Sequence, residues 1–342
     1  MLAIVFCSFF LLILSVIPSD RQRLLLFFTF LWLFVFSAFR GFDVGTDTIN
    51  YMYIFDRVEA GASWLDLPVE PSWVLINEVV AALGGGFRFV LVISTVFVLV
   101  PVFLAIKRSS LNPMFSVFFY YTLYFYFYSF NVTRQMVAVS FVLLGFTFIL
   151  QSRKLIFTGL VLLASTFHLS ALVCLPLVFL ERFPVSRFFW LMALALSMLF
   201  GLFGLELIYS VIKLTGYSHY LELLEAKNLM GSVAFLFILN SFYLFTVFTV
   251  RNFSLEFRLF SAFFVIQNLL FRLPFGGRLL FYFSIFQVVF FPYYFRNLKI
   301  SSLTEGLLVR LAVVLLAYCF FYIRIGEGQI IPYQNVLFGS VF

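Results

Sequence analysis

Charged residues are scarce here, 11% of 342 positions, against about 25% in an ordinary soluble domain, and mean hydropathy reaches +1.10. That scarcity excludes a water-soluble fold. Cysteine is limited to Cys7, Cys174 and Cys319, each inside an apolar run and none in C-x-x-C spacing. This spacing argues against a zinc site, a redox pair and a disulfide framework, and packing roles are expected. No polar block is long enough to form a separate domain, and neither a Walker loop nor a G-x-G-x-x-G following a strand is present. A cytoplasmic nucleotide-sugar domain is excluded with them.

What remains is 64% hydrophobic, with 54 phenylalanines and 17 tyrosines. The apolar runs recur from end to end, which predicts one all-α, polytopic transmembrane domain over 1–342 with about 10–13 membrane segments, some broken or re-entrant. The net charge of +7 comes from basic pairs between apolar runs, the pattern of charge-directed topology, so nucleic acid is not an expected partner. One orientation places all six pairs, Arg21/Arg23, Lys107/Arg108, Arg153/Lys154, Arg182/Arg187, Arg251/Arg258 and Arg296/Lys299, on the cytoplasmic side. The N-terminal segment lacks a basic n-region and is expected to be a retained helix with its start outside.

Spans are predicted at roughly 1–17, 24–39, 87–106, 113–130, 134–150, 188–206, 232–250, 258–271, 279–295 and 307–323. Periplasmic segments fall near 40–86, 207–231 and 324–342. Two stretches resist this count: 71–86 must return outside, and 155–180, long for one helix and short for two, must fold back near His168. Broken helices at membrane depth occur where they are buried in protein or line a cavity, which points to a site.

Seven arginines violate the charge rule at the outer edge: Arg40, Arg57, Arg88, Arg134, Arg272, Arg278 and Arg324. Lysine would serve lipid headgroups equally well, so the choice of arginine suggests bidentate recognition of phosphate. Lys213 and Lys227 share an outer loop with Glu206, Glu222 and Glu225, and His219 in that loop receives no role.

Four outer constellations carry candidate chemistry. In Arg40–Tyr51, Asp43 and Asp47 stand four residues apart, as a general base, a hydroxyl ligand or hard oxygen ligands for a metal; Asp47 or Thr48 alternatively caps a helix through Tyr51 and Phe55. In Asn131-Val-Thr-Arg134-Gln135, an arginine begins a helix against its dipole. His168 sits at the predicted fold-back, suited to proton transfer or phosphate binding. In Arg272-Leu-Pro-Phe-Gly-Gly-Arg278, two arginines flank a glycine pair that lets backbone amides approach an anion, ahead of Tyr282. Tyr333 in the C-terminal tail is either a substrate contact or an interfacial anchor.

Arg40, Gly45-Thr-Asp47-Thr-x-x-Tyr51, Asn131-x-x-Arg134-Gln135, Phe167-His168-x-Ser170-Ala171 and Arg278 before an aromatic helix follow in an order that resembles the EpsG-like family of Wzy-type polysaccharide polymerases. The resemblance spans 40 to about 333 and is loose over 69–86. It implies a multi-pass glycosyltransferase of the bacterial inner membrane, GT-C-like in architecture, that joins O-antigen or exopolysaccharide repeat units on the periplasmic face. The implied partners are undecaprenyl-pyrophosphate-linked oligosaccharides, membrane lipids, a chain-length regulator and a flippase. No cofactor and no metal enter the expected set. Arg134 and Arg278, with Arg40 or Arg272, are expected to bind the donor pyrophosphate, and Asp47 or His168 to deprotonate the acceptor hydroxyl. Asp43, Tyr51, Asn131, Gln135, Tyr282 and Tyr333 complete the substrate contacts, Asp43 on its own chemistry rather than on the resemblance. Two alternatives stay open. An O-antigen ligase carries a larger late outer loop than 207–231, and a lipid-linked oligosaccharide flippase would place charge at the midplane of repeated halves, where no repeat is found.

Overall fold

The computed structural model describes residues 2–18, 21–184, 186–204, 210, 229–273, 276–299 and 302–340. The predicted late outer loop, with His219, Lys213, Lys227, Glu222 and Glu225, lies outside the described residues, apart from a few positions at its edges, and so does Glu206. Fifteen α-helices are described: α1 (Leu2–Ser15), α2 (Gln22–Ala38), α3 (Thr48–Glu59), α4 (Pro71–Ala82), α5 (Phe87–Ser109), α6 (Pro113–Thr122), α7 (Phe125–Asn131), α8 (Thr133–Ile149), α9 (Lys154–Ser165), α10 (Arg187–Phe203), α11 (Leu229–Thr249), α12 (Leu255–Leu270), α13 (Gly276–Ser284), α14 (Gln287–Arg296) and α15 (Leu303–Arg324). A 3-10 helix runs over Leu169–Arg182, and a two-residue strand pair, Gln334–Asn335 with Gly339–Ser340, closes the tail.

The predicted spans map onto these helices in order. By length and composition α5 and α15 can each cross a membrane, and the pair α13–α14, bent by 46°, makes a third; the remaining apolar helices are shorter. α5 is the central one, with 61% of its apolar window buried against 28% for α15, whose Leu307, Leu311 and Leu315 face outward. It packs on α2 and α8, and α8 on α9. Cys174 is buried, as expected for packing, whereas Cys319 on α15 is exposed, a departure that follows from the peripheral position of that helix.

The stretch that could not be counted as one helix or two solves its length problem by changing helix type. Twelve residues of α9 rise about 18 Å as α-helix. Fourteen residues of 3-10 helix rise about 28 Å, close to the hydrocarbon thickness. The sequence carries the reason: Ala171, Cys174, Leu177 and Leu180 are the buried residues, an unbroken period of three that makes one straight stripe in a 3-10 helix and would spiral off an α-helix.

The two ends of the bundle use charge differently. At one end the basic pairs are tied together. Arg258 Nη1 donates to the carbonyls of Leu180, Glu181 and Phe183, Arg187 Nη2 to that of Val250, and Arg108 to Thr147 and Gln151. Lys154 pairs with Glu181 at 2.6 Å. Each of these arginines therefore covers a helix C-terminus, where the dipole welcomes a cation. The broken junctions gather at the other end: Tyr124 between α6 and α7 holds φ at 70°, Val132 links α7 to α8, and the chain reverses at His168.

Gly201 on α10 marks a close helix crossing, because a Cβ there would lie 2.1 Å from the Asn268 carbonyl oxygen of α12. Gly201→Ala is expected to destabilise the detergent-solubilised protein by about 1–3 kcal/mol. Gly159→Ala, with open space around it, should leave the melting temperature unchanged or raise it, and equal behaviour of the two variants would contradict this crossing.

Candidate active site

Four helix N-termini converge at the end opposite the basic pairs. Glu70 occupies the position preceding α4 without capping it, Arg134 is the second residue of α8, His168 precedes the 3-10 helix, and Arg278 is the third residue of α13. Glu70 pairs with Arg134, and its other oxygen lies 3.9 Å from His168 Nδ1. Ser170 Oγ bridges His168 Nδ1 at 2.8 Å and the Tyr282 hydroxyl at 3.0 Å. Gln135 Nε2 donates to the Arg278 carbonyl at 2.8 Å, and Ser72 Oγ donates to Thr166 Oγ1 at 2.7 Å, clasping the start of α4 to the fold-back. Arg134, Glu70 and His168 are each about one-quarter exposed, so the cluster is open to solvent yet held by its neighbours.

This arrangement concentrates positive potential. The positive ends of helix dipoles favour an anion, and two arginines stand there against them. Among the seven arginines predicted to break the charge rule, others have local explanations. Arg57 and Arg324 lie in the last turns of α3 and α15, where a cation is favoured, and Arg324 pairs with Glu327 at 2.5 Å. Arg88 donates to the carbonyls of Ala38 and Arg40 and stacks on Phe42. Arg272 follows the C-terminus of α12, with its buried Nε lacking a hydrogen-bond partner.

Asp47 and Tyr51 border the cluster. Asp47 stands at the N-cap position of α3, as the capping alternative expects, but its carboxylate makes no cap hydrogen bond. Tyr51, buried, has the Arg134 guanidinium 5.9 Å over its ring. Asn131 accepts from the Thr46 amide at 2.7 Å, stitching the Asp47 loop to the α7–α8 junction. Gly45, at φ 93°, fits there because a Cβ would meet the Phe130 carbonyl at 2.4 Å, and Gly328 on the tail passes Asn131 as closely.

Arg40, Asp43 and Tyr333 are placed apart from this group. Arg40 is 1% exposed, donates to the Ser37 carbonyl and lies 4.9 Å over the Phe130 ring. Burial pushes its pKa down to about 10, so it remains charged at neutral pH. Tyr333 donates to the Phe36 carbonyl, and the Asp43 carboxylate folds over Gly41. Among the described residues no group of three His, Cys, Asp or Glu side chains is placed to hold a metal ion.

Glu70 and Ser170 were not singled out from the sequence. Ser170 lies within the motif around His168. Glu70 had only a faint signal, a carboxylate directly before a proline at a helix start, where capping is the ordinary explanation.

A helical membrane bundle with an arginine-, histidine- and carboxylate-bearing site where its broken helices meet is thus defined. The chain belongs to the EpsG family, whose profile matches residues 23–335. That family points to a function of polysaccharide-polymerase type, and with the apolar helices to a membrane protein. The chain matches no curated protein and no solved structure.

Burial holds the His168 imidazole below its usual 6.5, Glu70 raising it and Arg134 and Arg278 lowering it. The folded chain thus favours neutral His168. Its contribution to stability is complete above about pH 6.5 and falls as the pH drops, because the unfolded chain takes up a proton that the folded one resists. In histidine-labelled protein carrying His219→Gln, NMR should show His168 titrating below 6.5, moving up in Arg278→Gln and down in Glu70→Gln. A wild-type midpoint above 6.5 would contradict this electrostatic arrangement.

Proposed function

We propose that this protein is an O-antigen or exopolysaccharide polymerase of the bacterial inner membrane, with its site on the periplasmic face. It transfers glycan from undecaprenyl pyrophosphate to a lipid-linked repeat unit. The observation that carries this reading is the meeting of Arg134 and Arg278 with His168 and Glu70, from four segments distant in sequence. A diphosphate leaving group is the kind of anion such a site stabilises as charge develops on it.

In the reaction, the acceptor hydroxyl oxygen bonds to the donor's anomeric carbon as the bond from that carbon to the diphosphate oxygen breaks. The bonding pair leaves with the diphosphate, facing Arg134 and Arg278. The hydroxyl proton passes to His168, held neutral by its surroundings, or to the uncapped Asp47 carboxylate. Tyr51, Gln135 and Tyr282 position these groups, and Asn131 holds the Asp47 loop. The single membrane domain then presents 40–86, 207–231 and 324–342 to the periplasm, with the basic pairs inside.

Deleting the gene and restoring it, with the surface polysaccharide resolved on a gel, tests this directly. The ladder should collapse to a single repeat unit on its acceptor and return on complementation. Arg134→Ala or Arg278→Ala, at normal membrane levels, should lose about 10²–10³-fold in polymerisation, and Arg134→Lys should not restore it. An unchanged ladder would remove the reading. Long chains stranded on the carrier lipid would indicate a ligase, and single units trapped inside would indicate a flippase.

A further inference from the structure

The Arg134 guanidinium that would receive the donor diphosphate is already taken by Glu70, and the same carboxylate reaches toward His168. One Glu70 oxygen accepts from Arg134 Nη1, and the other stands 3.9 Å from His168 Nδ1. We infer that Glu70 is an exchangeable positioning residue, displaced from Arg134 by the diphosphate of the donor and transferred to Nδ1 of His168, so that donor binding readies the base.

The inference rests on the polymerase reading for the identity of the anion, and on geometry for the exchange. A carboxylate and a phosphate compete for one guanidinium fork. The pair is about one-fifth exposed at each partner, so its coupling is screened and modest beside that of a multiply charged anion facing Arg134, Arg278 and several helix N-termini together. Arg134 Nε, buried and without a hydrogen-bond partner, supplies a further donor to such an anion.

The receiving side is equally prepared. Ser170 Oγ now holds Nδ1, and it keeps the Tyr282 hydroxyl as a partner at 3.0 Å if Nδ1 turns to Glu70. No buried hydroxyl is stranded by the exchange. A carboxylate on Nδ1–H fixes the tautomer in which Nε2 is the acceptor and stabilises the imidazolium that forms when Nε2 takes the hydroxyl proton. Without donor, Glu70 stays on Arg134 and His168 lacks this support, which limits activation of water at an empty site.

The test uses the full chain in detergent, with inorganic pyrophosphate as the probe. Calorimetry should show Glu70→Gln binding pyrophosphate about tenfold tighter than wild type, because the competing carboxylate is gone. Arg134→Ala should not bind. In a His219→Gln background, 15N NMR should show pyrophosphate driving His168 to the Nδ1–H tautomer with Glu70 present and not in Glu70→Gln. With the lipid-linked donor, Glu70→Gln should lower KM and lower kcat at least tenfold, and Glu70→Asp should recover part of kcat. Unchanged or weaker pyrophosphate binding by Glu70→Gln, or a tautomer response independent of Glu70, overturns the exchange. If both signatures appear and no repeat units are joined, the exchange is supported and the polymerase reading is what fails.

Discussion

Arg40 is buried where the second helix ends, and the C-terminal tail is pinned around it. Its guanidinium donates to the Ser37 carbonyl and lies over the Phe130 ring, and its backbone bridges to Asn335 of the tail. Gly41 donates to the Gln334 carbonyl, Val336 to that of Phe39, and Arg88 reaches back to the Arg40 carbonyl. A buried cation without partners costs several kcal/mol; here the Ser37 carbonyl and the Phe130 ring face answer the charge, while Nε and Nη2 are buried without a hydrogen-bond partner. The consequence reaches the site: once the tail is pinned here, Gln329 accepts from the Gly45 amide and Gly328 lies against Asn131. The loop carrying Asp47 is then held from both sides.

Helix polarity explains how one chain separates its arginines into two kinds. At the end that gathers the basic pairs, Arg108, Arg187 and Arg258 cover helix C-termini, where the dipole favours a cation. Arg134 and Arg278 sit in first helical turns, as Arg187 does, but Arg134 is paired with a carboxylate and not with a helix C-terminus. Among the described residues Glu70 is the carboxylate paired with Arg134, in an ion pair partly open to solvent. An arginine placed against its own helix dipole and held by an exchangeable carboxylate suits an anion that arrives later.

The span order, the fold-back at His168 and the convergence of Arg134, Gln135, His168 and Tyr282 were legible because apolar length and outer arginines are strong signals in a chain this poor in charge. The roles of Arg40 and Tyr333 were not, because a sequence shows that an arginine follows a helix and not whether a distant tail folds over it. The 3-10 helix was half legible: its period of three is written in Ala171, Cys174, Leu177 and Leu180, but a Pro176 in the middle reads equally as a break. Glu70 was hidden by its commonplace context before Pro71. Its meaning depends on a contact with Arg134, 64 positions away.

A membrane bundle exposes backbone polar groups wherever a helix starts or breaks, and lipid cannot satisfy them. Collecting the breaks at one level turns this liability into a site, because the N-termini of α4, α8, α13 and the 3-10 helix meet one another there, with the first amides of α4 paired inside the protein, Ser72 to the Thr166 carbonyl and Trp73 to that of Glu70. The positive potential they share would repel the bundle's own arginines unless a carboxylate stood among them. Glu70 is that carboxylate, which makes it structural in the resting state. Its removal by an incoming anion is feasible only because the anion takes over the same electrostatic duty. Resting stability and substrate recognition thus draw on one charge position, occupied in turn by protein and by ligand.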